Sequence, residues 1–156
     1  MDADLKTVYA EEPSEGQTHA LFQVGLKILL QRGEEFLVLI LADSGFLDLP
    51  GGRIDAGEQA ISLQEILARE IREELGTDVK YILGSPLFNY RRGFHRTVPV
   101  FTVVYEADYI SGEIMLSPEH SSYTWAHPKT FVCREKDFPS LEAYAAFKKY
   151  VISFEH

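Results

Sequence analysis

Residues 51–77 read GGRIDAGEQAISLQEILAREIREELGT, and this stretch decides the fold. Behind Pro50, whose ring fixes its own φ, Gly51 and Gly52 make a corner at which the chain bends sharply. From Glu58 to Leu75 no glycine or proline intervenes, and Leu67, Ala68, Ile71 and Leu75 recur at helical spacing until Gly76 supplies a stop. On that helix Glu70, Glu73 and Glu74 stand at i, i+3 and i+4 and share a face, while Ile71 and Leu75 point to a different, apolar one. Like charges so placed destabilise an isolated helix by a few tenths of a kcal/mol per pair, so solvent, the arginines or bound cations must compensate. A charge run on a helix is more often a solvated face than a metal site. Hard divalent cations, however, take carboxylate and carbonyl oxygens and leave positions for water and phosphate.

Working outward, residues 20–30 (ALFQVGLKILL) and 36–41 (FLVLIL) flank a polar turn at 31–35, which predicts two buried strands joined as a hairpin. A turn at 43–45 and a short extended piece at 46–49 lead into the glycine corner. Beyond the helix, residues 79–83 and 87–90 read as strand, and the β-branched and aromatic run 97–107 (TVPVFTVVYEA) as a central one. A last short strand is expected over 123–126, and a closing helix over 140–151 with Ser140 as its cap. This order predicts an α+β architecture, one mixed sheet covered by helices, rather than a βαβ alternation. Residues 1–19 are expected to form a leader and 20–156 a single domain.

The formal net charge of −9 argues against nucleic-acid polymers as partners, because a polyanion needs a basic footprint. No apolar run approaches the roughly 20 residues that cross a bilayer, and the acidic N-terminus lacks signal-peptide character, so a cytoplasmic location is expected. The one cysteine, Cys133, has no CxxC partner and reads as a half-buried structural thiol. The strip 89–96 (NYRRGFHR) interleaves cations with aromatics. That composition suits phosphate contact and base stacking as well as it suits an exposed hairpin turn.

Gly52, five residues, Glu58 and then REIREELGT from Arg69 to Thr77 resemble the Nudix box, whose usual pattern is G, five residues, E, seven residues, REUxEExGU, with U aliphatic. Two positions depart from it: ten residues separate Glu58 from Arg69, and Thr77 stands at the last aliphatic position. The three extra residues either lengthen the helix at its N-terminal end or bulge the loop before it.

The resemblance implies an α/β/α sandwich from about residue 20 onward and Mg2+-dependent hydrolysis, with Mn2+ as an alternative ion, of a diphosphate linkage in a small nucleotide. It implies Glu70, Glu73, Glu74 and the Gly51 carbonyl as metal ligands, Glu70 also being able to accept a proton from the attacking water. Arg69 would pair with Glu73 and orient it, and Glu119, in a loop outside the box, is the candidate general base. Arg91, Arg92 and Arg96 are the candidate phosphate contacts. Two other readings belong to the same fold: a non-catalytic nucleotide-binding or protein-interaction module, and a diphosphate isomerase, which would want a cysteine in its pocket. The first strands could also add to a partner's sheet in a homodimer.

Overall fold

The computed structural model describes residues 19–152; the expected leader lies, His19 apart, outside the described residues. Strands β1 (Gln23–Arg32), β2 (Glu35–Leu41), β3 (Leu47–Asp48) and β4 (Gly51–Arg53) precede helix α1 (Leu63–Leu75). After it come β5 (Lys80–Arg92), β6 (Val100–Ser111), β7 (His120–Ala126), a 3-10 turn (Glu135–Asp137) and helix α2 (Leu141–Phe147), which runs into a π-helical turn (Lys148–Ile152). All seven strands belong to one mixed sheet, ordered β3-β2-β1-β6-β5, with β4 on β1 and β7 on β2. β1 and β6 are parallel, whereas the other pairings are antiparallel.

The period of two sorts the side chains into two cores. Leu26, Ile28 and Leu30 of β1 and Leu37 and Leu39 of β2 meet Ile66, Leu67, Ile71 and Leu75 of α1. Leu29, Phe36 and Val38 point the other way, to Phe138, Ala143, Phe147 and Val151 around α2. The sheet is thus covered on both faces, the sandwich expected from the sequence. Trp125 closes the first core, edge-on to Tyr109 and beneath the Arg32 guanidinium.

Three local expectations shift for physical reasons. The helix does not begin near Glu58: Ser62 caps it, its Oγ accepting the Glu65 N–H at 3.2 Å, so the extra residues of the box bulge the loop and leave α1 short. The two strands read at 79–83 and 87–90 are one, β5, whose register slips around Leu83, Pro86 and Phe88. Being at the sheet edge, β5 tolerates the proline, which cannot donate to a ladder. The closing helix is α-helical only to Phe147, while its Ser140 cap accepts the Ala143 N–H at 3.1 Å as expected.

Candidate functional site

The corner and the helix meet. Gly51 lies opposite Lys27 in the β1–β4 ladder with φ of 142°, and a Cβ there would stand 2.0 Å from the Leu26 carbonyl oxygen. Only glycine fits both the dihedral and the space. Gly52 is glycine for a different reason: a Cβ would lie 2.3 Å from Oε2 of Glu70, so the bare backbone is what lets that carboxylate seat against the corner. One turn further along α1, Glu74 reaches Gly51 itself, Oε2 accepting its N–H at 3.3 Å.

The three helix glutamates have unlike surroundings. Arg69 gathers carboxylates around one guanidinium: Glu58 at 2.9 Å, Glu70 at 3.0 Å, Asp55 at 3.6 Å and Glu73 at 3.7 Å. Glu58 keeps its place in this ring despite the bulged loop, because its Oε1 also accepts the Asp55 N–H at 2.8 Å and folds the turn back onto α1. Burial pushes the Glu70 carboxyl up, against the opposing pull of Arg69. The Glu73 side chain is 58% exposed at the outer rim.

Glu74 is 4% exposed and stands apart from that ring. Removal from water, only partly offset by Lys27, raises its carboxyl to about 7. Around it sit groups from three strands. The Lys27 ammonium lies 3.1 Å from Oδ1 of Asp48 and donates to the Gly51 carbonyl at 3.4 Å. Nε2 of His120 lies 2.8 Å from Oδ2 of Asp48, and its Nδ1 lies 3.9 Å from Oε2 of Glu74 with no hydrogen-bond partner. Burial alone would raise Asp48, yet Lys27 and His120 together hold it below the usual carboxylate range. Burial likewise disfavours a charged His120, but its bond to Asp48 and the two carboxylates outweigh that and raise its pKa.

Asp48, Glu74 and His120 form the one tight group of potential metal-ligand atoms among the described residues, all within 4.8 Å of one another. Of this cluster the sequence singled out Glu74, and His120 stands next to the candidate base Glu119. Lys27 carried a legible signal, a lone cation inside the apolar run GLKILL; Asp48 carried none.

A cleft of about 590 Å3 joins these groups to the basic strip. Its lining takes in Glu70, Glu73, Glu74, Arg69 and Glu119 at the acidic end. The same lining takes in Arg53, Arg92, His95 and Arg96 and the rings of Phe88, Tyr90, Phe138 and Phe147, with Arg92 in electrostatic reach of Arg53 and Arg96. Of the three arginines expected at the substrate, Arg92 and Arg96 line the cleft and Arg91 does not. Arg91 turns to Glu142 on α2, bonding it through Nη2, Nε and its own backbone N–H. Phe94 lies outside the lining, under the Arg91 guanidinium. Cys133 packs at the edge of the α2 core and is absent from the lining, so the cleft holds no cysteine nucleophile.

The donors suit a hard divalent cation: carboxylate oxygens crowd one end, Gly52 leaves Glu70 room to swing, and a buried glutamate there lacks full compensation of its charge. A family model described as the NUDIX domain matches residues 21–147. Among solved structures, the MutT protein of Methanosarcina mazei Go1 is 26% identical, covering 72% of this chain and 81% of its own, with a TM-score of 0.60. A MutT NUDIX hydrolase from Burkholderia pseudomallei shares the fold at 22% identity, covering 83% and 97%, with a TM-score of 0.65. An ADP-ribose pyrophosphatase from Streptococcus suis does so at 17%, covering 86% and 94%, with a TM-score of 0.57. No curated protein matches.

Proposed function

The chain belongs to the NUDIX domain family and is a pyrophosphohydrolase of that kind; from this premise we propose that it hydrolyses, with Mg2+, the diphosphate linkage of a nucleoside diphosphate joined to another moiety. Nucleotide sugars, ADP-ribose, dinucleotides and nucleoside triphosphates fall within that class, and Mn2+ is an alternative ion. The observation that carries the reading is one cleft whose lining joins seven carboxyl-bearing residues, Glu70, Glu73, Glu74 and Glu119 among them, to Arg53, Arg92 and Arg96. An anionic substrate needs its charge compensated beside those carboxylates, where Lys27 and Arg69 are already paired with Asp48, Glu58 and Glu70, and a divalent cation supplies that compensation.

Glu70, Glu73, Glu74 and the Gly51 carbonyl would hold the ion. When bound, it would neutralise phosphate charge and lower the pKa of a coordinated water, easing its deprotonation by a nearby carboxylate. Arg69 fixes the carboxylates: with Glu58, Asp55, Glu70 and Glu73 all within 3.7 Å it limits their rotamers before any ligand arrives. Arg92 and Arg96 contact the phosphates remote from the acidic end, a geometry suited to guanidinium forks. Glu70 or Glu119 takes the proton from the attacking water. Burial raises the Glu70 carboxyl in the direction that suits a base, whereas Glu119 is exposed on the turn before β7. Arg91 serves at one remove, tethering the strip to α2 through Glu142. With a net charge of −9 the partner is a small nucleotide rather than a nucleic-acid polymer.

The test is a panel of the four substrate types, assayed with Mg2+ and with chelator, for the parent and for Glu73→Gln. Phosphate or nucleotide release should require Mg2+ and drop by orders of magnitude in the variant. Equal turnover by both proteins would end the assignment.

A further inference from the structure

The metal site the sequence implies is all oxygen, yet the deepest group aimed at Glu74 is a nitrogen. The His120 side chain is 1% exposed, and its Nδ1 is among the few buried side-chain polar atoms of the described residues with no hydrogen-bond partner. Buried polar atoms are rarely left so.

The other ring nitrogen accounts for the orientation. Nε2 lies 2.8 Å from Oδ2 of Asp48, and Lys27 sits on both oxygens of the same carboxylate, 3.1 Å from Oδ1 and 3.3 Å from Oδ2. An ionised carboxylate only accepts, so Nε2 carries the proton and, in the neutral ring, Nδ1 presents a bare lone pair. That lone pair stands 3.9 Å from Oε2 of Glu74, too far for a hydrogen bond. A cation bonded to both atoms, at roughly 2.0–2.2 Å from each, spans such a gap. A carboxylate on one imidazole nitrogen and a metal on the other is the usual way proteins fix a metal-binding histidine. The Gly51 carbonyl, by contrast, already faces the Lys27 ammonium at 3.4 Å and is the less available donor.

We propose that Nδ1 of His120 is a nitrogen ligand of the cation held by Glu74, with Asp48 and Lys27 as the residues that position its ring. The proposal rests on the metal-dependent reading above and deepens it. Imidazole favours Zn2+ and Co2+ over Mg2+, which prefers oxygen. This site should therefore bind the borderline metals more tightly than its carboxylates alone would, and Mg2+ should gain little from His120.

Ring nitrogens of the full-length protein are followed by 15N NMR during titration with Zn2+ and, separately, Mg2+, the His120 resonances being assigned by elimination with His19→Gln, His95→Gln, His127→Gln and His156→Gln. Zn2+ should move the His120 Nδ1 signal while Nε2 keeps its proton, and Mg2+ should leave Nδ1 nearly still. By calorimetry His120→Gln should lose at least about tenfold in Zn2+ affinity, the usual scale for disrupting a metal-bound histidine, and keep its Mg2+ affinity. Zn2+ binding with an unmoved Nδ1, or equal loss of both metals in the variant, overturns the inference while the hydrolase reading stands. Failure of the parent to bind any divalent ion overturns both. The NMR arm uses the parent protein and so decides the matter even where His120→Gln fails to fold.

Discussion

Glu74 and Gly51 are 23 residues apart in the chain, yet Oε2 of the one accepts the backbone N–H of the other at 3.3 Å. This bond ties the start of β4 to the last turn of α1 and buries a carboxylate beside Asp48.

The burial sets a pH dependence for the metal-free protein. Glu74 has a folded pKa of about 7 against 4.5 for the free group, so between those values the folded state binds more protons than the unfolded one. Stability then falls as pH rises from about 4.5 and levels off above 7, by a few kcal/mol at most on the scale of about 1.4 kcal/mol per pKa unit. His120, whose pKa is also raised, acts in the same direction from its ordinary value of 6.5 upward. Asp48, lowered, contributes only at the acid end. Denaturant midpoints measured in chelator should drop between pH 5 and pH 8, and saturating Mg2+ should flatten or reverse the trend. A midpoint that climbs with pH in chelator would show that Glu74 is ionised without a cation.

The two glycines of the corner separate stability from function. In Gly51→Ala the new methyl meets the Leu26 backbone, which cannot yield, at a φ of 142°. The expected result is a loss of more than about 2 kcal/mol, in line with strained φ combined with overpacking. In Gly52→Ala the nearest atoms the methyl meets are those of the Glu70 carboxylate, the free end of a flexible side chain. Thermal unfolding should change little while Mg2+ affinity and kcat fall, since Glu70 must leave the corner. Equal unfolding temperatures for the two variants would refute the distinction.

Arg69→Gln probes the carboxylate ring. The Arg69 side chain is a third exposed, so its ion pairs contribute little to folding, on the order of 1 kcal/mol or less. Without it Asp55, Glu58, Glu70 and Glu73 repel one another and adopt many rotamers. Mg2+ affinity should fall about 10- to 100-fold, as for other residues that orient metal ligands, with Tm nearly unchanged. The reverse pattern, a large Tm loss with Mg2+ binding intact, would make Arg69 a structural residue.

How far the sequence could be read depends on which contacts are local. The helix face of Glu70, Glu73 and Glu74, the cap at Ser140 and the glycine corner follow from spacing along one segment, and each is visible in residues 51–77 or 140–151 alone. The start of α1 was ambiguous because Gln59, Ala60 and Ile61 tolerate either helix or loop; the Ser62 side-chain bond decides it. Lys27, Asp48 and His120 come together from β1, β3 and β7. Their meeting depends on register, Lys27 facing Gly51 across one ladder and His120 facing Leu41 across another, and no periodicity in a single strand encodes that. The Arg91–Glu142 pair was hidden for a similar reason, since its two members lie 51 residues apart.

That last pair gives a prediction of its own. Glu142 takes bonds from Nε, Nη2 and the backbone N–H of Arg91, and Ser140 Oγ donates to the Arg91 carbonyl at 2.7 Å. The end of β5, where Arg92 stands, and with it the turn that leads to Arg96, is thereby fixed to the start of α2 from two directions. Both side chains of the ion pair are solvent-facing, so its worth lies in placement rather than in folding energy. Glu142→Gln removes the charge and keeps the shape: Tm should hold, KM for a diphosphate substrate should rise, and kcat should stay near that of the parent, because the acidic end of the cleft is untouched. High salt should raise KM of the parent toward that of the variant, since an exposed pair is screened over about 8–10 Å at physiological ionic strength and over less above it. A fall in kcat with KM unchanged would place Glu142 in the chemical step instead of in the positioning of the basic strip.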